Sequence, residues 1–220
     1  MQWIKRILVY LAGLVCIAVG INISKLAGLG ISPVSSVPRA LEVIWGFTLG
    51  TMVILIYCLL VLLQFIVLRR EFKLKNLLGV PLGLVFGSLV DLVGIDPNAF
   101  GHLMAGVPKP SGYLLQLVYL LVSIVVIGFG VYLYLKPNLV PMPGEGLAEA
   151  ISRKTGKAFG DCKTLVDVGL ILIALILQLI FLGGFSSFTS NTVVVREGTI
   201  LSALLVGQTV KFFRKLGAGN

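Results

Sequence analysis

Charge is scarce in this 220-residue chain: 12% of its residues are Asp, Glu, Lys or Arg, and 57% are hydrophobic. A soluble domain carries roughly 25% charged and 45–50% apolar residues. So few charged groups do not clothe a 23.6 kDa globule, because even ordinary proteins lack the polar area for that, and a soluble fold is disfavoured. Disorder is excluded, since it needs low hydrophobicity and high charge. Histidine is nearly absent, and the one present, His102, stands outside the apolar runs, which argues against metal or hydrolase chemistry. Cys16, Cys58 and Cys162 share no ligand spacing, and two of them stand in apolar runs where cysteine acts as a small hydrophobe. No Gly-rich Lys-Ser/Thr loop is present for ATP coupling. The expectation is a protein that is not an enzyme and carries no cofactor and no metal.

What the chain has is long apolar runs, at about 7–23, 51–68, 77–93, 113–135, 164–182 and 199–213. About 20 such residues cross a bilayer as a helix, so the fold class expected is an all-α polytopic membrane protein with six transmembrane helices. Lys5 and Arg6 ahead of the first run mimic a signal peptide. The run exceeds the usual apolar stretch of such a peptide and no cleavage site stands out, so the reading is a retained helix. The third and sixth runs hold many small residues (Gly79, Gly83, Gly87; Gly198, Ala203, Gly207), which places them centrally in the bundle.

Acidic residues number 9 against 18 basic ones. With six spans and the N-terminus inside, 14 of the 18 basic residues fall on cytoplasmic segments, leaving Lys25, Arg39, Lys109 and Arg196 outside. This bias predicts both termini in the cytoplasm. The positive charge then records membrane topology, and nucleic acid is not expected as a partner; the lipid bilayer is.

Set against itself at an offset of 110, the chain aligns Gly20 with Gly130, Leu29 with Leu139, Pro33 with Pro143, Ala40 with Ala150, Gly46 with Gly156 and Gly50 with Gly160. The third helices align at an offset of 120, Gly87 with Gly207 and Val90 with Val210, with an insertion near 183–192 taking up the difference. Glycine and proline mark backbone geometry, so these identities weigh more than their number. The reading is a repeat at 1–93, an outer loop at 94–112 and a second repeat at 113–220. Three spans each make the two repeats inverted, an arrangement common in secondary transporters with midplane sites.

Each repeat contains a proline-interrupted break followed by a short amphipathic or re-entrant segment. In the first, Ser35 or Ser36 is the expected N-cap, with Pro38 in the first turn. If the breaks dip into the membrane, their amides and hydroxyls form a binding site from Ser32, Pro33, Ser35, Ser36, Pro143, Gly144, Glu145 and Gly146. If they are interfacial helices, they only connect spans. Glu145 stands where the first repeat has Ser35. A carboxylate at that depth would bind a cation or a proton; at the surface it is an ordinary first-turn acid. Glu145 and Glu197 are the coupling candidates. Thr199 and Gln208 read as interhelical hydrogen-bond partners, Asp167 as an i,i+4 partner of Lys163, and Asp91 as an acid reaching water at the outer end of its span.

The motifs Gly28-Leu-Gly-Ile-Ser-Pro33, Pro141-Met-Pro-Gly-Glu-Gly146, and Arg196-Glu-Gly-Thr199 followed by Ala203-Leu-Leu-Val-Gly207 resemble those of the bacterial YczE/YitT-type integral membrane proteins. The resemblance runs over nearly the whole chain. It implies a bacterial inner-membrane protein of five or six helices and names no substrate. Together these features predict a transporter of a small molecule or ion. The alternatives are a non-transporting membrane partner or scaffold, and a membrane enzyme or lipid-handling protein. A homodimer is left open.

Overall fold

A computed structural model describes residues 2–95, 98–99, 101, 103–183 and 194–218, and among these there is no strand. The chain forms α1 (Gln2–Ala27), α2 (Pro33–Trp45), α3 (Leu49–Leu68), a 3-10 turn (Arg69–Glu71), α4 (Leu74–Leu77), α5 (Gly79–Val93), α6 (Tyr113–Leu135), α7 (Pro143–Thr155), α8 (Phe159–Phe181) and α9 (Glu197–Ala218). Five stretches among the described residues are helical, long and apolar enough to cross a membrane: Trp3–Ala27, Leu49–Glu71, Leu74–Val93, Tyr113–Leu135 and Phe159–Phe181. The expected sixth, α9, is a 22-residue helix. It falls short in apolarity because Gln208, Lys211, Arg214 and Lys215 occupy its second half.

α1 and α6 lie antiparallel along their length, and glycines set the approach. A Cβ placed on Gly13 would stand 2.5 Å from the Tyr134 nitrogen, and one on Gly130 would stand 2.8 Å from the Ile17 nitrogen. Further along, Gly20 lies against Ile127 in the same way. α3 and α5 meet as closely, with Gly50 and Gly87 each facing the other's carbonyl oxygen. Without side chains at these points, backbones reach a separation that dispersion forces reward where lipid offers no hydrophobic drive. α9 takes a different place from the central one expected. It rests on α6 through Gly128 against Thr209, while Ile200, Leu204, Phe212 and Leu216 are exposed. α5 also shows Leu84 and Val85 to the surroundings.

Both termini lie at one end of the bundle: Arg6 donates to the Pro137 carbonyl at 2.7 Å, and Gly217 abuts the Tyr132 hydroxyl. The short helices α2 and α7 are alike. Each has 13 residues, begins with proline at its first turn, and ends at a left-handed glycine, Gly46 (φ 72°) or Gly156 (φ 71°). Each glycine N–H closes its helix on the carbonyl four residues back, at 2.9 Å. Glycine takes positive φ without the Cβ penalty, so it stops both helices at the same point.

Three expectations change. Ser32, rather than Ser35 or Ser36, precedes α2, and its side chain makes no capping bond; the fixed φ of Pro33 suits the first helical position, so the helix starts there. Pro38 is therefore inside the helix. Asp91 is buried instead of reaching water, for a reason given below. His102 and nearly all of the 183–192 insertion lie outside the described residues.

Substituting Gly13 with leucine forces α1 off α6 and is expected to cost about 1–3 kcal/mol. Gly207→Ala, at a position with open space around it, is expected to change stability by less than about 0.5 kcal/mol. Thermal unfolding of the two variants in detergent checks the contrast.

Candidate functional site

The two proline breaks meet inside the bundle. A Cβ on Gly144, in the first turn of α7, would stand 3.5 Å from Val34 in the first turn of α2. α2 starts against the middle of α8, where the Ser36 hydroxyl lies 3.4 Å from the Leu170 carbonyl it donates to. α7 starts against the middle of α3, where the Tyr57 hydroxyl donates to the Met142 sulfur at 3.8 Å. From these starts the helices run toward opposite ends. α2 reaches Gly46 near the α3 start, and α7 reaches the end that holds the termini, where Lys154 and Glu71 lie 3.5 Å apart. Neither helix lies flat on the outside of the bundle.

Beginning a helix there requires partners for the peptide groups of the break. Tyr10 on α1 donates to the Val140 carbonyl at 2.9 Å, and the Met142 N–H donates to Tyr134 on α6 at 3.3 Å. The Gln64 amide on α3 donates to the Pro143 carbonyl at 3.1 Å. In the first break, Ser36 donates to the Pro33 carbonyl at 2.6 Å, Ser24 donates to the Gly30 carbonyl at 3.1 Å, and the Gly198 N–H donates to the Leu29 carbonyl at 2.9 Å. Ser32 and Ser35 are paired through their hydroxyls at 3.2 Å.

Of the residues expected to form the site, Ser32, Pro33, Ser35 and Ser36 therefore gather at one helix start and Pro143, Gly144, Glu145 and Gly146 at the other, side by side. Glu145 is half-buried on the side of α7 that shares its electrostatic surroundings with Lys163 and Asp167 of α8, and with Tyr10 and Tyr57. Burial pushes its carboxyl up to about 7; Lys163 opposes the rise and Asp167 adds to it. Lys163 and Asp167 form the i,i+4 pair foreseen, at 2.5 Å. Glu197 stands apart from these groups: its side chain is 41% exposed and paired with Arg196 at 2.9 Å. Thr199 is held locally, accepting from the Arg196 N–H at 3.4 Å. Gln208, expected between helices, is exposed.

A cleft of about 210 Å³ opens beside α7 toward the end that holds the termini, with Gln64, Lys73, Pro143, Gly146 and Arg153 among its walls. It continues into a second cavity of about 200 Å³ that shares Lys75, Val140, Pro141 and Glu149 and adds Asn138. At the far end of the bundle the corresponding space is filled. Glu42 of α2 is paired with Lys25 of α1 and, at 2.7 Å, with Arg39, their side chains only 5%, 9% and 16% exposed. Nearby, Asp91 of α5 accepts from the Gly50 N–H at 2.7 Å and from the Thr48 hydroxyl at 2.6 Å, binding α5 to the start of α3. An acid at a helix N-terminus satisfies orphan amides and the helix dipole together, which is why Asp91 turns inward.

The Lys25–Glu42–Arg39 cluster escaped the sequence reading, which put both cations in outer loops. The i,i+3 spacing of Arg39 and Glu42 was its one visible sign. Gln64 was visible too, as the one amide in the apolar run 51–68.

A family of unknown function, DUF6198, matches residues 4–215, and the chain belongs to it. An uncharacterized protein of Haemophilus influenzae is 25% identical over 209 residues, covering 95% of this chain and 83% of the relative. The uncharacterized membrane protein YczE of Bacillus subtilis is 27% identical over 204 residues, covering 92% and 82%. No solved structure matches. The resemblance read from the motifs thus holds for the YczE type.

Two outcomes follow. Glu42→Ala removes the anion that Lys25 and Arg39 share and is expected to cost about 3 kcal/mol, read as a lowered melting temperature, with Glu42→Gln intermediate. For Glu145, the folded state holds a proton between its ordinary value of 4.5 and about 7 that the unfolded chain has released. Stability therefore falls as pH rises through that window. Glu145→Gln is expected to flatten that slope in melting curves taken across it.

Proposed function

We propose that this member of the DUF6198 family is a transporter of a small molecule or ion, built from two inverted three-helix repeats with α9 as the sixth span. On this reading it lies in the bacterial cytoplasmic membrane with both termini inside, as the distribution of basic residues argues. The repeat reading is supported by reciprocity in the packing. Gly20 faces Ile127 while Ile17 faces Gly130, which is one contact made twice under the 110-residue offset. α2 packs on α8 as α7 packs on α3, and α2 and α7 share length, proline start and glycine stop.

The observation that carries transport is the asymmetry about the junction of the breaks. Two helix starts meet in the middle of the bundle. A cleft leads from the start of α7 to one end, and a buried three-charge cluster closes the other. Alternating access needs a site reached from one side at a time, and this arrangement matches the inward-open half of such a cycle. A solid scaffold would have no use for the cleft. Glu145 supplies the coupling group: a carboxyl whose protonation changes near neutral pH, facing Lys163 and Asp167 on α8 and the hydroxyls of Tyr10 and Tyr57, is suited to exchanging a proton as the bundle rearranges.

The test uses a cysteine-free chain carrying Ser32→Cys in intact cells, probed from outside with a membrane-impermeant thiol reagent. Lowering the pH from about 8 to 6 neutralises Glu145 and is expected to change the labelling rate by about threefold or more as the populations of the two states shift. Glu145→Gln is expected to remove that dependence, and Glu42→Gln to raise labelling at every pH. Labelling indifferent to pH and to both substitutions would refute the transport cycle.

A further inference from the structure

The cleft carries a charge imbalance that transport by itself does not require. Lys73 and Lys75, at the start of α4, and Arg153, in the third turn of α7, line it together with the amides of Gln64 and Asn76. Glu149 is the one acid among the lining residues, and its carboxylate is already engaged by Arg153 at 2.5 Å. The neighbouring acid, Glu71, is paired with Lys154. Lys73 and Lys75 have no ion-pair partner among the described residues. The deep end is formed by Pro143 and Gly146 in the first turn of α7, so the positive end of that helix dipole adds to the same sign of potential.

The chemistry of the walls selects the ligand. A metal cation would find no uncommitted carboxylate. A neutral apolar molecule would have to displace water from three charged groups and two amides without replacing those bonds. A tetrahedral oxyanion offers several acceptor oxygens and up to two negative charges to a cleft whose donors outnumber its acceptors. Arginine presents a planar fork to such a group and lysine a mobile point charge.

We propose that this cleft binds a phosphoryl group, on a soluble phosphate or on a lipid headgroup, with Lys73, Lys75 and Arg153 as its charged contacts and Glu149 holding the Arg153 guanidinium in place. Binding stands or falls independently of transport, because it is measured on the purified full-length protein at equilibrium.

The experiment is a thermal-shift titration in nanodiscs of zwitterionic lipid, comparing inorganic phosphate with chloride at matched ionic strength, and zwitterionic discs with discs containing phosphatidic acid. Phosphate at about a hundred times its dissociation constant is expected to raise the melting temperature by several degrees if the soluble source is used. If the lipid source is used, the rise comes with phosphatidic acid alone. In either arm the double variant Lys75→Gln/Arg153→Gln is expected to require at least about tenfold more ligand for the same rise. Lys75→Arg, which keeps the charge, is expected to retain the effect and shows that the fold tolerates change there. No rise with phosphate or phosphatidic acid beyond the chloride control, or the same titration in the double variant, overturns the proposal. A rise in this assay with no pH-dependent labelling in intact cells would leave binding established and transport refuted.

Discussion

The peptide group sets the terms for this structure. A helix that begins midway through an apolar bundle leaves amides and carbonyls where no bulk water serves them, each costing several kcal/mol if unpaired. α2 and α7 both begin this way, and the polar side chains buried around them are deployed accordingly. Pro33 and Pro143 reduce the demand, since proline has no N–H to satisfy. Ser36, Gln64, Tyr10 and Tyr134 meet much of what is left. Gln64, Tyr10 and Tyr134 lie on long apolar helices and Ser36 on α2 itself, and each donates to or accepts from the backbone of a break. They are therefore less free to be exchanged for apolar residues than their number suggests, and the second break holds its conformation partly through Tyr10 and Gln64, 130 and 79 residues from the carbonyls they meet.

The same constraint explains the glycines. A buried break leaves little lateral room, so the long helices around it must approach closely. α1 and α6 do so at Gly13, Gly20 and Gly130, and α3 and α5 at Gly50 and Gly87. α8 is different, since Gly169 faces open space, and α9 is approached this closely mainly at its two ends, at Gly198 against the Leu29 carbonyl of the first break and at Gly217 against Tyr132, while Gly207 faces open space. One half of the molecule is thus closed around its break by α3 and α5. On the other side α9 rests chiefly on α6 and touches the first break only at its start, through Gly198 and Leu29, so the bundle is less symmetric than its offset sequence identities.

Much of this architecture was legible in the residues. Apolar runs located the long helices because burial and lipid exposure demand the same composition. Pro33/Pro143 and Gly46/Gly156 located the short helices because these residues fix backbone geometry regardless of environment. The partners of the breaks were not legible, since a serine or tyrosine in an apolar run does not disclose which distant carbonyl it meets. Asp91 was misjudged for that reason: its amide partner is 41 residues away, and only the fold brings the α3 start beneath it. Lys25 and Arg39 were misplaced because a basic residue near a span end reads as a loop residue unless its acid is seen. Of the site itself, the convergence of the two breaks was foreseeable from their matched spacing. The cleft beside one and the charge cluster beside the other were not, because they depend on residues that differ between the halves.

On the proposed reading of two inverted repeats, those differences are where direction enters. At the 110-residue offset Arg39 stands opposite Glu149, Glu42 opposite Ser152 and Lys25 opposite Leu135. The first set makes a buried cluster that joins α1 to α2. The second lacks both the acid at the Glu42 position and the lysine at the Lys25 position, so α6 and α7 are not joined in the same way, and the cleft lies beside α7 at that end. Two identical halves would have equal reason to open at either end. Exchanging three side chains breaks that balance, because a buried ion cluster is costly to separate while a solvated one is nearly neutral. On the proposed transport cycle, the preference for opening at the end that holds the termini would therefore reside in the charges where α1 meets α2 and in their absence where α6 meets α7, and the shared backbone geometry would leave it undecided.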